Sequence, residues 1–427
     1  MAASSQPAAV SENRGVRLPS DLEVLRLRDF RLVFGASLVS LLGDGIVPVA
    51  LSFAVLDLTG SATDLGLVLA SEVVALAGAL LIGGVVADRV GRRRVMVAAD
   101  LVRLVSQSVI GALLIAGNAT VVEIAVSQAL LGAASGFFNP ASSGLLPLLA
   151  GERLQQANAL RGIAMATGSI AGPAIAGVLV VTTSPGVALL VDAGSYAASA
   201  LLLARVHPPD LPPQGPTRFL ADLREGFSEV RCRTWVWSVI AVFAVTNMVG
   251  AAFPVLGAVI SKRDLGGAGA WAAILAFRAA GGLIAGTALL RAGPRRPLLV
   301  AVRFGAISAL PMFLLAAGAP LVLILPAALV MGIAGMVFNT LWETTLQQHI
   351  PPAARSRVSS YDWFGSIAFT PLGLALIGPL AAGIGISGAL YLCGAVDVLS
   401  VALLLGVRDI RTLGPRPHGL SEATQRP

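Results

Sequence analysis

Ionisable side chains are scarce in the long apolar stretches of this chain, so the few that occur there are the first candidates for chemistry. A charge at bilayer depth is costly and marks an ion or substrate pathway by default. Asp44 stands between Gly43 and Gly45, about eleven residues into the first apolar stretch, which at 1.5 Å per residue sets it roughly 16 Å deep. The flanking glycines let water or substrate approach its carboxylate. Glu72 and Arg278 lie in the second and eighth stretches, each roughly 10–12 Å from the opposite face, where an acid and a base could pair between helices. The chemistry such a set offers is proton loading and release. Asp44 is the first candidate carrier, and Glu72 and Arg278 complete the coupling set. Asp100, Arg103, Glu343, Asp362 and Asp397 fall nearer the ends of their stretches, where a structural network or a hydrated position accounts for them.

Other chemistry is missing from the pattern. Cys232 and Cys393 lie far apart and His207, His349 and His418 are scattered, so no metal and no disulfide is expected. The sole lysine, Lys262, follows a serine rather than a glycine, which leaves no phosphate-binding G-x-x-x-x-G-K-[ST] loop. No enzyme activity and no cofactor are expected.

The elements that must position Asp44 follow from composition. Of 427 residues, 56% are apolar and 12% are charged, whereas a soluble domain carries about 45–50% and 25%. A spanning helix needs about 20 apolar residues. Apolar stretches broken by charge, Pro or Gly clusters run from 32–57 to 387–406, twelve in all. The polar segment 1–31 has no apolar core with a cleavage site, so no cleaved signal peptide is expected. Arginines gather in the tails and in every second loop, while the alternate loops hold only Lys262 and Arg263. By the positive-inside rule both termini are cytoplasmic. The net charge of +7 then belongs to membrane orientation, and no nucleic-acid partner is expected.

The expectation is an all-α membrane protein of twelve transmembrane helices in two six-helix halves, a monomer in the cytoplasmic (inner) membrane. Its parts are a tail at 1–31, a half at 32–205, a central loop at 206–233, a half at 234–406 and a tail at 407–427. The central loop opens with Pro208, Pro209, Pro212 and Pro213 and carries an amphipathic piece from Phe219 to Val230.

Internal echoes support the division. Gly84, Arg89, Gly91, Arg93 and Arg94 recur as Gly286, Arg291, Gly293, Arg295 and Arg296, and Gly172-Pro173-x-x-x-Gly177 recurs as Gly378-Pro379-x-x-x-Gly383. Span two echoes eight and span five echoes eleven, the pattern of parallel repeats related by an axis along the membrane normal. In Gly84-x-x-x-Asp88-Arg89-x-Gly91-Arg92-Arg93, Gly91 permits a tight turn and Asp88 can sit at the positive end of another helix. In Gly168-x-x-x-Gly172-Pro173-x-x-x-Gly177, the glycines allow close helix contact and Pro173 can bend the helix.

The first of these segments resembles the loop between spans two and three of the major facilitator superfamily, and the second resembles the span-five signature of its exporters. Leu58-Thr-Gly-Ser-Ala-Thr-Asp-Leu-Gly66, Ala157-Asn-Ala-Leu160 and Gln347-Gln-His-Ile-Pro351 with Arg357-Val-Ser-Ser-Tyr-Asp362 are similar to its enterobactin-exporter and macrolide-efflux branch. The resemblance implies a loop that latches the halves when the cytoplasmic side is closed, and a cavity lined by spans one, four, seven and ten. It sets Asn247, Asn339 and Trp342 near that cavity beside Asp44, and Phe338 adds apolar lining. One departure is Gln128, which stands where many proton-coupled exporters have an arginine four residues before a glycine, here Gly132. The function implied is export of a small, partly apolar molecule, drug-like or siderophore-like, by proton antiport through alternating access. The rivals are a metabolite importer or facilitator and a permease subunit driven by a separate ATPase.

Overall fold

The computed structural model of the chain describes residues 20–207, 227–289 and 294–414. Among these residues the secondary structure is helical, with no strand. The long helices are α1 (Arg28–Thr59), α2 (Ala62–Val90), α3 (Arg92–Ile115), α4 (Val121–Ala150), α5 (Leu154–Thr182) and α6 (Pro185–Leu203). After the central loop come α7 (Thr234–Asp264), α8 (Ala268–Leu289), α9 (Pro297–Ala316), α10 (Leu321–His349), α11 (Val358–Ile384) and α12 (Ile386–Gly406). Among the described residues eleven helical segments are long and apolar enough to cross a membrane, since α4, the turn Gly151–Arg153 and α5 form one run of 62 residues. Drawn out straight, that run would extend about 93 Å, some three hydrocarbon thicknesses. Gly151, at φ +52°, interrupts it. Most of the central loop, including Pro208 to Pro213 and Phe219, lies outside the described residues, as do Arg291 and Gly293 of the echoed loop.

Helix starts follow local chemistry. Ser61 and Ser184 accept from the Asp64 and Val187 amides, and Thr120 forms a reciprocal box with Glu123, satisfying orphan donors at three N-termini. Four long helices are broken: α1 at Gly45, α7 at Ala251, α9 between Gly305 and Leu310, and α11 at Ala368–Phe369. The breaks in α1 and α7 fall at matching places in the two groups, the usual pointer to a binding region in transporters, whereas α3 and α5, the counterparts of α9 and α11, are continuous.

Small residues set the helix contacts. A Cβ on Gly132 would strike the Glu72 carbonyl, and one on Gly332 would strike the Arg278 carbonyl, so α4 lies hard against α2 and α10 against α8. Between the groups, α2 crosses α11, where Gly66 meets the Leu374 carbonyl and Gly378 meets Thr63. Helix α5 crosses α8, where Gly177 meets Ala272. The helices whose sequences echo one another therefore make reciprocal contacts.

The apolar core is shared at one end only. Away from the arginine-rich loops, Leu51, Leu56, Leu189, Phe253, Trp271 and Leu390 belong to one buried cluster drawn from both groups of helices. Toward those loops the cores separate, one around Met96 and Leu145, one around Phe30 and Leu160, and one around Trp235, Trp342 and Val358. At the shared end the Lys262 ammonium donates to Asp57 Oδ1 at 2.5 Å and to the Leu56 carbonyl at 2.7 Å, tying α7 to α1.

Candidate functional site

Asp44 closes the first segment of α1, and the backbone there passes close to two other helices. A Cβ on Gly43 would strike Asp192 and Ser195 of α6, while Gly45 packs against Gly168 and Gly172 of α5. Gly168 in turn faces the Leu41 carbonyl, and Pro173 is buried beside it. The motif Gly168, Gly172, Pro173 and Gly177 thus seats the break in α1 with its first glycines and touches α8 with its last. The Asp44 side chain is exposed, and its Oδ1 accepts the Tyr196 hydroxyl at 2.6 Å.

Behind Tyr196 lies a buried polar network. The Arg103 guanidinium on α3 stands 5.4 Å from the Tyr196 ring centroid and 4.6 Å from that of Phe138, donates to Ser135 Oγ at 2.9 Å and pairs with Asp100 at 3.4 Å. Ser199 Oγ donates to the other Asp100 oxygen at 2.6 Å. Asp192 accepts from Gln107 Nε2 at 3.1 Å and from Ser195 Oγ at 3.4 Å. Asp100, Asp192, Gln107, Tyr196 and Ser199 are all fully buried. The hydrogen bonds fall into three groups, Asp44 with Tyr196, Asp100 with Arg103, Ser199 and Ser135, and Asp192 with Gln107 and Ser195, with the Arg103 guanidinium facing the Tyr196 ring between the first two. Sequence reasoning passed over Asp192, Ser195, Tyr196 and Gln107. A signal was present, since Asp192, Ser195, Tyr196 and Ser199 recur at i, i+3, i+4 and i+7 on one face of an otherwise apolar helix.

Glu72 and Arg278 are not brought together. Glu72 is half-buried on α2, and Arg278 lies exposed on α8 with its guanidinium 5.9 Å from the Phe253 ring centroid. No ion pair joins Arg278 to Glu72 or Asp44 among the described residues. Gln128 is fully buried, with neither amide atom partnered.

Asn247, Phe338, Asn339 and Trp342 line a single cavity of about 370 Å³ between α7, α9, α10, α11 and α12. Its wall is aromatic: Phe243 meets Phe338 edge-on at 4.7 Å and Trp342 at 6.3 Å, and Trp235 backs Trp342 at 5.6 Å. Trp342 Nε1 donates to Asp362 Oδ2 at 2.9 Å, Asn247 Nδ2 donates to the Ser366 carbonyl at 2.8 Å, and Ser308 Oγ, in the break of α9, donates to Asp397 at 3.1 Å. Phe253 falls outside this cavity, in the shared core.

The motif runs across the α2–α3 turn: Gly84, Asp88 and Arg89 lie in the last turns of α2, Gly91 makes the turn, and Arg92 and Arg93 open α3. Gly91 adopts φ +102°, a conformation that glycine tolerates and other residues resist. Asp88 pairs at 3.1 Å with Arg92 of its own turn and is 41% exposed rather than seated on α11. Arg92 also donates to the Gly144 carbonyl, and Arg93 donates to the Ala204 carbonyl at 2.6 Å, neutralising the negative C-terminal end of α6.

Comparison with known proteins matches this architecture. The multidrug efflux pump Tap of Mycolicibacterium fortuitum is 30% identical over 404 residues, covering 88% of this chain and 93% of that protein. The enterobactin exporter EntS of Shigella boydii is 28% identical over 408 residues, covering 91% and 94%. Among solved structures, the nucleoside transporter NupG superposes with a TM-score of 0.71 at 14% identity, covering 88% of this chain and 98% of that one. A POT family transporter in complex with 5-aminolevulinic acid also gives 0.71, at 11% identity, covering 90% and 97%. Residues 33–366, from the first segment of α1 to the break in α11, match the description of the Major Facilitator Superfamily. With paired helix contacts, broken helices in both groups and the glycine-rich α2–α3 turn in place, the chain belongs to the Major Facilitator Superfamily, a multi-pass membrane transporter.

Proposed function

We propose that the chain is a proton-coupled exporter of small, partly apolar molecules in a bacterial inner membrane, acting as a monomer. The run α4–α5 crosses twice, giving twelve spans with both termini cytoplasmic, a half at 32–205 and a half at 234–406. The observation that carries the direction of transport is the similarity to two proteins named as efflux systems over nearly the whole chain. Coupling is supported by Asp44, an exposed carboxylate at a helix break with a buried polar network behind it. The arginine-rich loops mark the cytoplasmic face, so the separate cores at that end correspond to a site open inward and closed outward. Export then requires the cytoplasmic ends to close, with Asp88 leaving Arg92 for the N-terminal end of α11, and the shared outer core to part.

The test is retention of a lipophilic dye or antibiotic by cells expressing the chain, with and without a protonophore. Lower retention that the protonophore abolishes is the expected result. Extrusion that survives the protonophore and stops on ATP depletion would favour a permease driven by a separate ATPase, and net uptake would favour an importer.

A further inference from the structure

The cavity around Trp342 is unbalanced in charge. Glu343, Asp362 and Asp397 line it, and no lysine, arginine or histidine stands among its lining residues. Asp362 is only 8% exposed, and while its Oδ2 receives the Trp342 indole, its Oδ1 has no hydrogen-bond partner among the described residues. Ser366 Oγ, one helical turn along α11, is likewise buried and unpartnered. A buried carboxylate oxygen without a donor or counter-charge is strongly disfavoured, so the arrangement is relieved by a positive partner, a proton or a larger cation. The remaining walls say what kind of positive group. Phe243, Phe338 and Trp342 offer ring faces and edges rather than the converging oxygen ligands that a calcium or magnesium ion requires, and aromatic faces attract organic cations. About 370 Å³ is also within the usual range of drug-sized sites, about 300–1,000 Å³.

Building on the exporter reading, we propose that this cavity in the C-terminal half is the binding site for an amphipathic organic cation, an aryl-bearing amine or onium. Asp362 Oδ1 supplies the counter-charge, Trp342 and Phe338 supply aromatic contacts, and Glu343 sets a negative mouth. An anionic cargo meets three carboxylates and is rejected, and a neutral one leaves Asp362 unmatched.

Purified full-length chain in phosphatidylcholine nanodiscs, probed with tetraphenylphosphonium and triphenylphosphine oxide, tests the site by calorimetry. These probes share aryl surface and differ in charge. The cation should bind at least tenfold more tightly than the oxide, and Asp362→Asn should erase most of that preference while changing oxide affinity less than twofold. Glu343→Gln, at an exposed position, and Asp397→Asn should each reduce the preference severalfold, and they decide the matter if Asp362→Asn does not insert. Equal affinity for both probes, no binding of the cation, or a preference that survives all three substitutions overturns the site. Protonophore-sensitive export of a neutral compound, measured alongside, reports on the exporter reading separately. A chain that exports such a compound without cation preference refutes the cation site alone, and one that binds the cation selectively but moves nothing refutes the exporter alone.

Discussion

On the proton-coupled reading Asp44 is the proposed carrier, and its surroundings allow a clean substitution. Asparagine keeps the shape and an acceptor for the Tyr196 hydroxyl but cannot exchange a proton. Asp44→Asn should therefore insert normally and retain downhill exchange of substrate while losing concentrative export. Reconstituted vesicles with an imposed pH gradient measure both, and uphill export at the wild-type rate would pass the role to Glu72. Tyr196→Phe removes one hydrogen bond, worth about 0.5–1.5 kcal/mol, or up to more than a tenfold change in the preferred state of Asp44. It should shift the pH profile of export without abolishing the activity. Asp44 stood out in the sequence as a carboxylate between two glycines in an apolar stretch, and the structure sets it at the break in α1 against Tyr196. Glu72 and Arg278 illustrate the limit of such reasoning. Residue counting yields depth, but pairing also depends on the direction in which each side chain leaves its helix. With α2 packed on α4 and α11, and α8 packed on α10 and α5, the two charges do not form an ion pair.

At the scale of elements, the glycines act as spacers more than as hinges. Gly172 lies against Gly45 backbone, with no room between α5 and the break in α1 for a larger side chain. Gly172→Leu should cost about 1–3 kcal/mol through overpacking, seen as a lower melting temperature in detergent and displacement of Asp44 from Tyr196. The control Gly162→Ala, inside α5 with nothing nearby, should leave Asp44 on Tyr196 and raise the melting temperature slightly rather than lower it. The α2–α3 turn makes a different prediction. Asp88 now holds only a partly exposed pair with Arg92 across the α2–α3 turn, a class worth about 0.2–1 kcal/mol, so Asp88→Ala should leave expression intact. If Asp88 reaches α11 in the opposite state, the same substitution should slow export several-fold, measured as initial efflux rate per inserted molecule. The turn's sequence showed which residues were unusual. It did not show that Arg92 and Arg93 reach α4 and α6, because those contacts span more than fifty residues of chain.

For the whole molecule, the lengths of the apolar stretches and the charge bias set out the expected helices, and the echoes paired α2 with α8 and α5 with α11 as repeats; that α2 packs on α11 and α5 on α8 came only from the structure. On the exporter reading the state of the molecule was not legible, since such a chain would encode both an inward-open and an outward-open arrangement of nearly equal free energy. The asymmetric core indicates which of these is described here. The tie across the closed end is partly exposed, with side chains 33% and 52% accessible for Lys262 and Asp57, and such pairs contribute about 0.2–1 kcal/mol. Lys262→Met should thus raise the outward-open population by no more than about fivefold, measured as the distance distribution between spin labels on the outer ends of α1 and α7.

That same tie carries a practical consequence. Lys262 is the only lysine in the chain, so an acylating reagent directed at amines has a single side-chain target, and that target straddles the seam that would open in each cycle on the exporter reading. While the ammonium is held by Asp57 and the Leu56 carbonyl, its nitrogen is slow to acylate; once the seam parts, it is free to react. The rate at which one peptide gains one acyl group, read by mass spectrometry with no engineered cysteine, becomes a clock for outward opening, and substrates or proton gradients that drive the cycle should quicken it.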